Sequence, residues 1–158
     1  MGEHSGPRRA RFRAAIAAFA VGVGVLASWG VGYAEADAEL VPGTPCTMAA
    51  SACVGLATKQ AWLIDDGKVT HGPRPISSGA PGHETPRGDF RVEWKHADHR
   101  SAEFHNAPMP FAIFFAPGGI AFHEGNLHTP SSGCVRLAYD DARAFYDFLE
   151  VDDRVQVR

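Results

Sequence analysis

Hydrophobic and polar positions alternate with a period near two over much of the chain from residue 54 onward. The period lengthens to three and four residues only near the C-terminus. Val54 and Leu56 alternate, a polar break follows at Thr58-Lys59-Gln60, and Ala61-Trp62-Leu63-Ile64 forms the next strand candidate. Asp65-Asp66-Gly67 predicts a hairpin, because Asp-Gly tolerates the positive φ angles of a tight turn. The return strand starts at Lys68-Val69-Thr70, and Pro73 and Pro75 confine it to an edge or an interrupted run. After the glycine and proline breaks of Ser77 to Gly88, Asp89 to Lys95 predicts one strand with Phe90, Val92 and Trp94 on a common face. His96 to Pro110 is polar and irregular, a loop in this reading. Phe111-Ala112-Ile113-Phe114-Phe115 is a short apolar strand, and Pro117-Gly118-Gly119 turns the chain into Ile120-Ala121-Phe122-His123.

In that last run Ile120 and Phe122 share one face, so His123 shares the other with Ala121, whose small side chain leaves room beside the imidazole. Ala138, Ala142, Phe145, Phe148 and Leu149 then recur at helical spacing, with Asp140 and Asp141 near the positive end of the helix dipole. Val155 and Val157 alternate with polar residues in a closing strand. The expected fold is mainly β, a barrel or sandwich, with one α-helix after Cys134 and no internal repeat. Trp62, Phe90, Trp94, Phe114 and Phe122 are assigned to its core.

The N-terminal part departs from this pattern. Arg8, Arg9, Arg11 and Arg13 precede 21 uncharged residues, Ala14 to Ala34, and Ala34-Glu35-Ala36 and Ala36-Asp37-Ala38 both offer small-x-small cleavage sites. Residues 1–36 are therefore expected to be an export signal, with an uncleaved membrane anchor as the alternative reading. Residues 37–52 are expected to be a linker or strapped-down arm, and residues 53–158 the functional domain. From Asp37 on, 11 Lys and Arg face 16 Asp and Glu, a net charge of −5, so no basic face for nucleic acid is expected.

An exported location makes the three cysteines informative. Cys46 and Cys53 lie close enough in sequence to close a disulfide easily, which leaves Cys134 as a free thiol. The alternatives are that both stay unpaired, or that one of them pairs with Cys134.

Cys134 is framed by Ser131, Ser132 and Gly133 before it and by Val135 and Arg136 after it. A thiol with an ordinary pKa near 8.5 is only about 3% thiolate at pH 7, so a cysteine nucleophile needs a base. His123 stands eleven residues upstream, and the Gly-Asn and Thr-Pro breaks between the two predict a loop that folds the imidazole back to the sulfur. The opposing reading is a buried, inert cysteine, which the small polar context disfavours. His128 is a rival base on a less rigid segment. His123, Glu124 and His128 form no zinc motif, since the spacing is wrong for a zinc helix and Gly125 and Pro130 oppose a helix. His71, His96, His99 and His105 are expected to be solvated loop residues, and His83 to lie in a turn that borders the cleft.

Three segments resemble the catalytic domain of the bacterial L,D-transpeptidases. They are C-V-G-L-A-T-K-Q-A-W-L-I-D-D-G-K-V, P-I-S-S-G-A-P-G-H-E-T-P-R-G-D-F, and F-H-E-G followed by S-S-G-C-V-R-L, the last being the most specific. The resemblance spans residues 52–158. It implies Cys134 as nucleophile and His123 as base and later acid. Ser132, Gly133 and Arg136 would border the substrate, with backbone N–H groups around Gly133 and Cys134 holding an oxyanion. It implies peptidoglycan stem peptides as substrate, acylation by carbapenem-type β-lactams, and no metal or organic cofactor. Two features depart from many members, which carry histidine where Ser132 stands and a longer interval from histidine to cysteine. The shorter interval implies a smaller substrate lid. A carboxypeptidase with the same site, a noncatalytic wall-binding module and a different exported cysteine peptidase are the competing functions.

Overall fold

A computed structural model describes residues 39–158, so the export segment expected at 1–36 lies outside the described residues. Nine strands and one helix follow in order: β1 (Ala52–Gly55), β2 (Gln60–Asp65), β3 (Lys68–Pro75), β4 (Gly88–Arg91), β5 (Trp94–Ser101), β6 (Ala107–Ala116), β7 (Ile120–Glu124), β8 (Val135–Leu137), α1 (Tyr139–Phe148) and β9 (Arg154–Val157). They form a five-stranded sheet in the order β3-β2-β1-β9-β4 and a four-stranded sheet in the order β5-β6-β7-β8. The fold is mainly β, two sheets with one helix directly after the Cys134 segment, as the periodicities predict. Among the described residues no helix is long and apolar enough to cross a membrane.

The β2–β3 hairpin closes where expected, with Asp65 paired to Lys68 and both turn residues, Asp66 and Gly67, at positive φ. β3 takes the sheet edge, where Pro73 and Pro75 lose no ladder bond to a further strand. Between the sheets lies the main core, which holds Val54, Leu63, Ile113, Phe115, Phe122, Val135, Leu137, Val155 and Val157. The helix adds Ala142 and Phe145, followed by Leu149, each at most 1% exposed. Its amino-terminal end is tied to the edge strand, since Asp141 accepts from His71 Nε2 at 2.9 Å and pairs with Arg74 Nε at 3.0 Å.

Three local expectations are corrected. Asp89 to Lys95 is not one strand. β4 pairs with β9 in one sheet, and β5 pairs with β6 in the other, so the chain changes sheets at Val92-Glu93. His96 to Pro110 is not a loop either, because β5 and β6 pair without interruption of register from Trp94↔Phe114 to Ser101↔Ala107. Its polar side chains hid the strand: β5 is the free edge of its sheet, where charged residues are tolerated and protect against further pairing. Finally, Trp94 is not core. It is 42% exposed, on the face of the four-stranded sheet that turns away from the main core.

That second face explains why Phe111 to Phe115 shows no alternation. Ile113 and Phe115 enter the main core, while Ala112 and Phe114 join Met109 and Ala121 in a smaller cluster on the opposite side. The five-stranded sheet is likewise covered on its outer side. There Val41, Cys46 and Ala50 pack over Cys53, Trp62 and Ile64, and a disulfide joins Cys46 to Cys53.

Candidate active site

The outer face of the four-stranded sheet carries the candidate chemistry. β7 and β8 run parallel with Phe122 opposite Val135 and His123 opposite Arg136. Paired residues of neighbouring strands project to the same side, and successive residues to opposite sides. Phe122 and Val135 therefore fill the core, and His123 and Arg136 point outward. Cys134, one residue before β8, falls on the same outward side and packs against Met109, Ala112, Phe114 and Ala121. Cys134, His123, Arg136, Met109 and Phe114 line a cleft of about 810 Å³ together with Ser131, Ser132, Glu103, Glu124 and the Gly118–Ile120 turn. Strand pairing, rather than a flexible loop, brings His123 and Cys134 to one site.

The backbone before Cys134 is held by the segment after β3. Ser131 N donates to Ser78 O at 2.9 Å and Ala80 N donates to Ser131 O at 2.9 Å. Arg136 and Ser77 exchange backbone bonds of 2.8 and 3.1 Å. Thr85, 3% exposed, donates its hydroxyl to Gly133 O at 2.7 Å and accepts from Gly79 N at 3.0 Å. Ser131 Oγ donates to Cys134 O at 2.5 Å and accepts from Gly133 N at 3.1 Å. Glycine is required at two places in this clamp. Gly133 sits at φ +122°, and a β-carbon there would lie 2.5 Å from Ile120 Cδ1; one on Gly79 would lie 2.0 Å from His83 O.

His123 is 8% exposed, and its Nδ1 lies 2.6 Å from Glu124 O. A carbonyl can only accept, so Nδ1 carries the proton and the neutral ring keeps Nε2 as its basic nitrogen. Burial lowers the His123 pKa from its ordinary value, against the opposing pull of the Glu124 carbonyl. Burial also raises the Cys134 pKa, countered by the Ala121 backbone and the Arg136 charge. The Cys134 thiol lies 3.7 Å from Gly119 O as a donor. Both shifts favour a neutral thiol beside a neutral imidazole over a preformed ion pair.

The other sequence candidates separate clearly. Arg136 lines the cleft, and its guanidinium donates to Thr129 O at 3.3 Å and Pro130 O at 3.4 Å. Its hydrogen bonds are to neutral oxygens, and among the described residues no carboxylate pairs with it. Ser132 lines the cleft with an exposed side chain. The Gly133 N–H, expected to face an oxyanion, is already bonded to Ser131 Oγ. His128 is exposed and outside the cleft lining. Among the described residues no cluster of three or more His, Cys, Asp or Glu suits a metal. His83 borders the cleft as expected, whereas His99 also lines it from β5 and is not a loop residue. Sequence reasoning missed Thr85 and Ser131. Both lie in segments that carry the family resemblance, but nothing in the sequence pattern marks them as the hydroxyls that fix the backbone around Gly79 and Gly133.

A family model, the L,D-transpeptidase catalytic domain called YkuD, matches residues 49–157. No curated protein matches the chain significantly. Among solved structures, an L,D-transpeptidase (Yku) from Stackebrandtia nassauensis is 29% identical with a TM-score of 0.64, and the match covers 68% of this chain and 54% of that one. An L,D-transpeptidase from Mycobacterium smegmatis shares the fold at 23% identity and TM-score 0.62, over 68% of this chain and 57% of that one. L,D-transpeptidase 3 from Mycobacterium tuberculosis, solved with a faropenem-derived adduct, does so at 19% identity and TM-score 0.61, over 68% and 59%. The chain thus matches only a little over half the length of these proteins. With a match across nearly the whole β-domain and the Cys134 segment inside it, the chain belongs to the L,D-transpeptidase catalytic-domain family.

Proposed function

We propose that the protein is a peptidoglycan L,D-transpeptidase that forms three-to-three cross-links through a Cys134 acyl-enzyme. The observation that carries this reading is the free Cys134 thiol on the same outward sheet face as His123, whose Nε2 is left basic. His123 Nε2 takes the thiol proton as sulfur attacks the carbonyl that joins the third stem residue, a diamino acid, to D-alanine. The Cys134 N–H faces the developing oxyanion, a contribution of about 3 kcal/mol for one well-placed donor. The C–N bond breaks, and D-alanine leaves with the proton from His123. The side-chain amine of a second stem attacks the thioester, a C–N bond forms as C–S breaks, and the amine proton returns through His123 to sulfur. Water in place of the amine gives a carboxypeptidase outcome. Arg136 binds a substrate carboxylate, for which its unneutralised charge is suited.

Carbapenem-type β-lactams acylate the same sulfur in this proposal, and the adduct that faropenem, a related penem β-lactam, leaves in the tuberculosis relative supports it. The enzyme works outside the cytoplasm, held near or released from the membrane by residues 1–36; the export-type sequence and a disulfide suited to an oxidising compartment support this location. Intact-protein mass spectrometry with a tetrapeptide stem or a carbapenem tests the chemistry. A mass gain in the wild type that Cys134→Ala abolishes is expected. No adduct on a folded protein with reduced Cys134 would leave a noncatalytic wall-binding module as the better reading.

A further inference from the structure

We propose that Trp94 is a saccharide platform, which holds the sugar ring that carries the donor stem while the stem peptide runs along the cleft to Cys134. The inference rests on the stem-peptide reading above and adds to it a second binding site, for the glycan.

Trp94 is large, apolar and 42% exposed at the free edge of the four-stranded sheet. One indole face lies flat on Phe114, with ring centroids 3.8 Å apart and planes 8° apart. His99 meets both rings edge-on, at 5.3 and 5.0 Å. The indole is thus braced from beneath and from one side, which fixes its orientation before any ligand arrives. Pre-ordering of this kind lowers the entropic cost of binding. Phe114 and His99 both line the cleft of Cys134, so the platform continues the cleft wall.

The sheet register sets the distance. Trp94 is opposite Phe114, and Phe114 is opposite Ala121. Val135 is opposite Phe122 on the parallel neighbour, so Cys134 continues that row one strand beyond Ala121, packed against the cluster that holds both Phe114 and Ala121. Three strand spacings separate the indole from the sulfur, about 14 Å. A sulfur poised on the carbonyl of the third stem residue has three residues between it and the sugar, which span about 10–11 Å when extended. The remaining few ångströms accommodate the linkage to the ring. A pyranose suits the exposed indole, because its axial C–H groups meet the electron-rich aromatic face while its hydroxyls stay in water.

The test compares binding of a disaccharide-tetrapeptide with binding of the free tetrapeptide by calorimetry, using the Cys134→Ala protein so that no turnover intervenes. The sugar is expected to tighten binding about tenfold. Adding Trp94→Ala should erase that gain and change tetrapeptide affinity less than twofold, while Trp94→Phe should keep most of the gain. The proposal is overturned if the disaccharide adds nothing, or if Trp94→Ala weakens both ligands equally, which would mark a structural role. Acylation of wild-type Cys134 by the free tetrapeptide, measured by mass, judges the catalytic reading separately.

Discussion

The two sheets share one core but treat their outer faces in opposite ways. On the five-stranded sheet the second face is sealed by residues 41–50, and Cys53 there is bound to Cys46. On the four-stranded sheet no described segment covers the second face, and the cysteine that reaches it, Cys134, is a free thiol in a cleft. Cys53 lies in β1 and Cys134 directly before β8, each next to a fully buried residue, Val54 and Val135. The difference lies in what covers the outward side: a strap makes one cysteine a staple, and solvent access makes the other available for chemistry.

Removal of His123 should break the open face most severely. General-base assistance is worth about 10²–10⁴ in rate, so His123→Ala should slow Cys134 acylation by that much while the fold persists. The pH dependence sharpens the assignment. Burial holds His123 below its ordinary 6.5, so its neutral, proton-accepting form persists at and above that pH. Burial holds the thiol above its ordinary value near 8.5, so the neutral pair dominates between the two values. Wild-type acylation should therefore be level from about pH 6.5 to 8.5 and fall only on the acid side. In His123→Ala the rate should instead climb about tenfold per pH unit toward and beyond 9, because only the spontaneous thiolate reacts. Stopped-flow acylation across pH measures both, and a level profile in the variant would exclude His123 as the base.

A subtler break leaves every reactive group in place. Gly133→Ala puts a β-carbon 2.5 Å from Ile120 Cδ1 at a φ of +122° that alanine resists. Ile120 can rotate away from the β-carbon, but relief of the backbone strain at this φ requires the segment to shift, and a displacement near 1 Å at a reacting atom costs about 10²-fold. Acylation should fall by that order with His123 titrating as before. An unchanged rate would show that Gly133 geometry does not position the sulfur.

The open and closed faces were not equally legible in the sequence. Short apolar runs bounded by turn residues identified β2, β3 and β7, and alternation within β7 identified the face shared by Ala121 and His123, because those strands end in clear turns. It failed at Glu93, where one run of alternation crosses from one sheet to the other without a glycine or proline to mark the change. It failed again at His96 to Pro110, since an edge strand beside a cleft has no apolar stripe to display. Cys134 and His123 were visible as residue types within a motif. The clamp formed by Thr85 and Ser131 was not, because a hydroxyl bonded to a backbone atom 48 residues away leaves no local pattern.

The closed face should respond in stability and not in chemistry. Opening the Cys46–Cys53 disulfide with Cys46→Ala/Cys53→Ala removes a short-loop cross-link worth about 2.5 kcal/mol by chain entropy. Chemical denaturation should show a loss of that size. The acylation rate of the folded fraction should change less than twofold, since the disulfide lies on the outer face of the other sheet. A large loss of acylation in the folded protein would mean that the two faces are coupled through the core.

The smallest effect is expected at Ser132. Its neighbours Ser131 and Gly133 are buried and bonded into the clamp, whereas Ser132 is exposed at the cleft rim. The segment keeps its shape through Ser131 Oγ and Thr85 Oγ1, neither of which depends on the Ser132 hydroxyl. Ser132→Ala should therefore change acylation less than about threefold, the range of a solvent-exposed hydrogen bond. Ser131→Ala, by contrast, strips a partner from both Gly133 N and Cys134 O and should cost at least ten times more. Parallel acylation measurements on the two variants decide the point. Equal losses would mean that the rim hydroxyl contacts the substrate directly, and that the open face begins one residue earlier than the sulfur.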